Sequence, residues 1–234
     1  MKRVLLLVSI LAAGLMLCSS PALATTFQFN SEISGGTAPA GVAPWLVATF
    51  TDASNGVSLR LEAINLMGEE FVSSFYFNLN PIFQATALTI TQDLSSAGFT
   101  DPKGSVYTTA QSSFAKGFKA NGDSYFDIRI DFPTTQSRLG VGTKAADLEA
   151  TFLIAGIKGL KAQDFLFMSE KKDGTDGYFA VAKVQGISDP AGGGTPSGWV
   201  APGNPVPEPT TMLLFGTGMI GLAGFGRKKL LKRS

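Results

Sequence analysis

Short runs of alternating apolar and polar residues, separated by turn residues, fill the middle of the chain. Trp45-Leu46-Val47-Ala48-Thr49-Phe50 is apolar and partly β-branched, and Val57-Ser58-Leu59-Arg60-Leu61-Glu62-Ala63 alternates with period two. Asn55-Gly56 lies between them, and such a dipeptide favours a tight hairpin because both central turn residues take positive φ. Phe71 to Leu79 carries Phe71, Phe75, Tyr76, Phe77 and Leu79 and stops at Asn80-Pro81. Ala87 to Thr91 alternates again. The clearest strand is Tyr125 to Phe132, with Phe126, Ile128, Ile130 and Phe132 on one side and Asp127, Arg129 and Asp131 on the other. Leu148 to Ile154, Asp164 to Met168 and Tyr178 to Val184 follow as further strands. The best helical stretch, Leu61 to Glu70, is broken by Met67-Gly68. The pattern predicts an all-β fold, an antiparallel β-sandwich or jelly roll. No fixed period of repetition points to a solenoid or propeller.

The two ends follow a different pattern. Lys2 and Arg3 precede an apolar run from Val4 to Leu17, and Ala22-Leu23-Ala24 supplies the small-x-small pattern read by signal peptidase. The run is shorter than the ~20 apolar residues of a membrane span. Residues 1–24 therefore read as a signal peptide cut after Ala24, with Ala22 and Ala24 as the cleavage residues. A lipoprotein alternative at Cys18 fails because Leu17 stands where such signals place a small residue. Residues 25–200 form the exported domain. From Ser188 to Pro209, five Gly and six Pro fill 11 of 22 positions, a linker composition. Trp199 and Val200 are expected to pack back as a final edge segment, leaving residues 201–209 as the linker proper.

Beyond it, Thr210 to Gly226 holds 17 residues without a charge. As a helix it would reach about 25 Å, a minimal transmembrane helix against a hydrocarbon core of ~30 Å. Residues 227–234 form a basic tail in which Arg227, Lys228, Lys229, Lys232 and Arg233 orient the span with this end cytoplasmic and the body outside.

Dividing the chain changes its charge. Seven of the 19 basic residues lie in the ends, and of the 18 acidic residues only Glu208 belongs to the tail. The body keeps 12 basic and 17 acidic groups, a net of −5, which argues against nucleic acid as a partner. The one cysteine, Cys18, leaves with the signal peptide, so the mature body holds no disulfide. About 180 residues are enough to bury a core without one.

The chain has no histidine, which removes His-based triads, His-ligated zinc and histidine acid–base work. No thiol chemistry survives processing, and no Gly-rich phosphate loop is present. No cofactor is expected. Asn121-Gly122-Asp123 with Asp127, and Asp173 with Asp176, could offer oxygen ligands to calcium, although Asn-Gly and Asp-Gly are also ordinary turn residues. Asp127 and Asp131, flanking Arg129, could be half of a glycosidase acid/base pair or a solvated strand face with cross-strand ion pairs. Thr86, Thr89 and Thr91 are too few and too irregular for an ice-binding ladder. The 18 Phe residues are most simply core.

Val206-Pro207-Glu208-Pro209, a short glycine-containing apolar helix and an Arg/Lys-rich end together resemble the PEP-CTERM sorting signal of Gram-negative bacteria, a tail also named for its occurrence on ice-binding proteins. The likeness covers 29 residues, Val206 to Ser234. It implies recognition by an exosortase, a membrane-embedded protease-transpeptidase, with Pro207, Glu208 and Pro209 as the recognition element. Flanking prolines suit that role, because they hold the backbone extended and out of helix. Phe75 to Pro81, Asp127 to Phe132 and Ala182 to Ile187 resemble uncharacterised exported domains found on such tails, in which His is expected where Lys183 stands. The combined expectation is a non-enzymatic cell-surface or extracellular-matrix protein of the exopolysaccharide or biofilm layer. It would pass through the inner membrane with its body periplasmic, with signal peptidase and exosortase as processing partners. Alternatives are a carbohydrate-binding module, betrayed by exposed aromatic residues on a sheet face, and a glycoside-active enzyme with two carboxylates in a cleft.

Overall fold

The computed structural model of the protein describes residues 23–93, 105–108, 117–121, 124–135, 138–174, 177–188, 196–203 and 206–207. They belong to one compact unit, Leu23–Glu208. The sequence-based assignments at Ala22, Glu208 and Pro209, the span at 210–226 and the basic residues Arg227, Lys228, Lys229, Lys232 and Arg233 lie outside the described residues, as do Asp123 and Asp176. Among the described residues no helix is long and apolar enough to cross a membrane.

The strands are β1 (Ala24–Glu32), β2 (Leu46–Ala53), β3 (Gly56–Ala63), β4 (Phe71–Phe77), β5 (Thr89–Gln92), β6 (Ser105–Thr108), β7 (Phe118–Ala120) and β8 (Ser124–Phe126). They continue as β9 (Ile128–Asp131), β10 (Arg138–Gly140), β11 (Ala145–Asp147), β12 (Glu149–Ala155), β13 (Glu170–Lys171), β14 (Ala180–Gln185), β15 (Gly198–Pro202) and β16 (Val206–Pro207). Thirteen of them form one sheet, along which β11-β10-β4-β14-β15-β1-β2-β3-β12-β5 are successive neighbours. β9 pairs with β4 and β6, and β16 pairs with β1. All of these pairings are antiparallel except β10 with β11. β13-β8-β7 form a separate small sheet.

Ring contacts show how the large sheet is shaped. β2 and β4 are four strands apart along its order, a separation of roughly 19 Å in a flat sheet with ~4.8 Å between strands. Yet the Phe50 and Phe77 ring centroids are 5.2 Å apart, and Phe29 meets Phe75 at 5.5 Å. The sheet therefore curls onto itself and supplies both layers of its own core. Phe27, Phe29, Phe50, Phe75, Phe77, Phe152 and Phe165 are fully buried there. This is the expected antiparallel all-β architecture, made from one continuous sheet.

Period two holds in β2, β3 and β12, where buried positions alternate with partly exposed ones. β4 differs, because all seven of its residues are buried. A register shift opposite Lys183/Val184 pairs Val72 with Val184 and Ser74 with Lys183, so Ser73 is an extra residue in β4. Such a bulge inverts the side-chain alternation across it. Val72, Phe75 and Phe77 consequently reach the main core, whereas Phe71 and Tyr76 do not.

Several sequence-based expectations change. The hairpin between β2 and β3 forms, but its tip is Ser54-Asn55 and Ala53 pairs with Gly56. Neither tip residue has positive φ, and Gly56 opens β3 at φ 150°. The strand expected over Tyr125–Phe132 divides at Asp127. Its carboxylate is buried and accepts the Leu79 N–H at 2.9 Å, which takes that residue out of the ladder. Phe126 then joins a second apolar cluster with Tyr76, Ala120, Val181 and Ala201, while Ile128, Ile130 and Phe132 stay in the first. Ala162–Phe165 is a 3-10 turn where a strand over Asp164–Met168 was expected, held by the Asp164 carboxylate on the Lys161 N–H at 2.9 Å. The stretch after β3 that resembled a helical turn is irregular up to β4.

The largest difference is at the C-terminal end of the body. Trp199 and Val200 belong to β15, which lies between β14 and β1 in the interior of the sheet and extends through Ala201 and Pro202. Part of the segment assigned to the linker by composition is thus strand. Its prolines sit where a strand tolerates them, at the last residue of β15 and in the two-residue β16.

Candidate functional site

The sorting-signal candidate begins where the body ends. After β15 the chain passes Gly203, whose N–H bonds Asn30 Oδ1 at 3.0 Å, and then re-enters the sheet as β16. Val206 pairs with Thr26 and Pro207 with Thr25. The backbone at 206–207 is therefore extended, as expected for residues flanked by proline.

Ala24 opens β1 opposite Thr51, and Thr25 pairs with Phe50 on its other side. A cut after Ala24 would make Thr25 the first residue of β1 and leave both its partners in place. Thr25 and the first proline of the Pro207-Glu208-Pro209 motif thus face each other across one strand pair. The strand pairing brings together two positions, Thr25 and Pro207, that are 182 residues apart in the chain.

The polar candidates within the body are separated by the fold. Asp127 is occupied as the acceptor of the Leu79 N–H. Asp131 forms an ion pair with Arg129 at 3.0 Å, and partial burial raises its pKa against the opposing pull of that guanidinium. The Arg129 guanidinium also lies 5.3 Å from the centre of the Phe118 ring. This is a strand-face ion pair leaning on an aromatic ring, and the neighbouring carboxylate is turned into the protein.

Asn121 adopts φ 46° and donates from Nδ2 to the Ile33 carbonyl at 3.0 Å, so its amide secures a turn. Asp173 lies in the turn closed by the Gly174 N–H on the Lys171 carbonyl at 2.9 Å. Among the described residues, no group of three acidic or Cys side chains is placed to hold a metal ion. Thr86 is in the 3-10 turn Ala85–Ala87, and only Thr89 and Thr91 share a face of β5. Their partners on β12 are Ala155 and Leu153, so no threonine ladder continues across the sheet. The exposed large apolar side chains among the described residues are all aliphatic, Val42 and Ile82 most of all.

The fold does assemble one group of residues that no sequence motif joins. Arg138, Lys144 and Lys183 come from three segments and line a single cleft with Glu69, Phe71 and Gln185. Of these, only Lys183 stood out in the sequence. The pairings of β4 with β10 and β14 create the cluster, and local spacing carries no trace of it.

Comparison with known families finds the PEP-CTERM protein-sorting motif at residues 205–228. The match takes in Pro207-Glu208-Pro209, the uncharged stretch and the first two basic residues after it. No curated protein and no solved structure gives a match. A PEP-CTERM tail implies exosortase-dependent sorting, with membrane-anchored transit and export to the cell surface. The chain thus carries a match to the PEP-CTERM protein-sorting motif near its C-terminal end, with a curled antiparallel β-domain ahead of it.

Proposed function

We propose that the protein is a non-enzymatic component of the cell surface or extracellular matrix of a Gram-negative bacterium, working in the exopolysaccharide or biofilm layer. The signal peptide directs export, and signal peptidase cuts after Ala24. The uncharged apolar stretch at 210–226 then holds the chain in the inner membrane with the body in the periplasm, until exosortase acts at Pro207-Glu208-Pro209.

The observation that carries this reading is the family match at residues 205–228 directly following a folded β-domain. The β1–β16 pairing supports it physically, because Val206 and Pro207 at the start of the motif are held in the sheet beside Thr26 and Thr25. The absence of histidine and the engagement of Asp127 and Asp131 in structural contacts support a role without catalysis.

Cell fractionation tests the reading. Wild-type protein is expected at the surface or in the medium of its host, and a form lacking Thr210–Ser234 is expected in the periplasm. Identical distributions of the two forms would overturn it.

A further inference from the structure

The outer face of the layer formed by β4, β14 and β15 is only partly covered. The second apolar cluster, which includes Tyr76, Val181 and Ala201 of this layer and Phe126 of the small sheet, occupies one part. Next to it the face opens into a cleft of about 580 Å³, within the ~300–1,000 Å³ range of small-molecule sites. Phe71, Lys183 and Gln185 come from β4 and β14, Arg138 from β10, and Glu69 and Lys144 from the adjoining loops.

The charge in this cleft opposes that of the body. The body as a whole carries −5, yet three cations and one carboxylate line this space. Arg138 is held in place: its Nε donates to the Thr134 carbonyl at 2.8 Å, and its guanidinium lies 4.0 Å from the centre of the Phe71 ring. Neither contact uses the terminal nitrogens. Lys183 Nζ rests 5.6 Å from the centre of the Trp199 ring. No carboxylate among the described residues lies within ion-pair distance of Arg138, Lys144 or Lys183. Among the described lining residues three cations outnumber the single carboxylate of Glu69, and a bound anion would offset that excess of positive charge.

Glu69 identifies the anion more closely. Its carboxylate accepts the Thr143 N–H, at 3.2 Å to one oxygen and 3.3 Å to the other, which fixes an acceptor beside the cations. An acceptor there favours a ligand that brings hydroxyl donors with its negative charge. Thr134, Gln185 and Ser197 add polar groups of both kinds. A DNA strand offers no sugar hydroxyl to Glu69, whereas a sugar acid presents a carboxylate and several hydroxyls on one ring.

We infer that this cleft binds a carboxylated sugar, a uronic acid unit of an extracellular polysaccharide, with Arg138 and Lys183 taking the carboxylate and Glu69 accepting from ring hydroxyls. Lys144, at the exposed rim, adds to the field that draws the anion in. This deepens the reading of the protein as a component of the polysaccharide layer and rests on it.

The test is calorimetric titration of the full-length protein in mild detergent with trigalacturonate, and with neutral cellotriose and short duplex DNA as comparisons. Binding of trigalacturonate alone is expected, weakening as salt screens the charges. Lys183→Gln and Lys144→Gln should each weaken it, the former by roughly tenfold. Lys158→Gln, at an exposed lysine that is not part of the cleft lining, should leave it unchanged. Because Lys144 is exposed, its variant reports on binding even if a change at Arg138 or Lys183 disturbs folding. No binding of trigalacturonate, equal binding of cellotriose or DNA, or indifference to both cleft lysines would overturn the inference. Surface localisation is read separately: loss of binding with normal sorting defeats the cleft assignment alone, and binding with failed sorting defeats the proposed function alone.

Discussion

Phe50 touches both layers of the curled sheet, so its removal tests how the body is held together. It stands on β2, fully buried, with Phe27 at 5.8 Å, Phe77 at 5.2 Å and Phe165 stacked at 4.3 Å between ring centroids. Truncating a buried Phe to Ala costs ~3–5 kcal/mol. Three aromatic neighbours, each pair contributing ~0.5–1.5 kcal/mol beyond area burial, place Phe50→Ala toward the upper end, at about 4–5 kcal/mol. That is a large part of a typical stability of ~5–15 kcal/mol. The assay is urea unfolding of the body, followed by the fluorescence of Trp45 in the main core and Trp199 at the second cluster. With an m-value of about 2 kcal/mol/M, the midpoint should fall by about 2 M. Phe50→Leu should lie between the two, showing that the loss tracks the volume removed. A shift for Phe50→Ala below about 0.5 M, or roughly 1 kcal/mol, would refute the view that the two layers are joined through this ring.

Two further predictions concern the body. Gly56→Ala should destabilise it by about 2–4 kcal/mol, because φ is 150° there and a Cβ would stand 2.0 Å from the Ile154 carbonyl oxygen; an unchanged unfolding midpoint would contradict this. Glu32 should make stability depend on pH. Partial burial raises its pKa, but hydrogen bonds from the Ser34 side chain and from the Ser34, Gly36 and Gly35 backbone outweigh that and leave it lowered. A carboxyl with a lowered folded-state pKa contributes stability above its unfolded value and loses it as pH falls through the folded one. Glu32→Gln should therefore be less stable than wild type at neutral pH, with the difference vanishing in acid below the ordinary glutamate range; a difference that persists there would refute the assignment.

How much of this was legible in the sequence depended on whether the deciding contacts were local. β2, β3 and β12 could be read from alternation because each has one wet face. β4 could be read as a strand, but the inversion at Ser73 depends on its pairing with Lys183 and Val184. The break at Asp127 was hidden because Asp127 fits the alternation and leaves it only to accept the Leu79 N–H, 48 residues away. Composition misplaced β15 for a related reason. Gly and Pro marked a linker, while Trp199, Val200 and Ala201 were enough to form a strand between β14 and β1. The sorting motif was legible because its parts are contiguous, and the cleft was not, because its cations come together only when β10 and β14 flank β4.

The central claim, that the tail directs sorting through Pro207-Glu208-Pro209, is tested most directly by intact-mass analysis of the protein recovered from the surface of its host, with and without exosortase. The expected mass corresponds to a chain starting at Thr25 and ending at or beside the motif, with the full tail to Ser234 retained when exosortase is absent. A surface form that keeps Ser234 in both strains would contradict the claim.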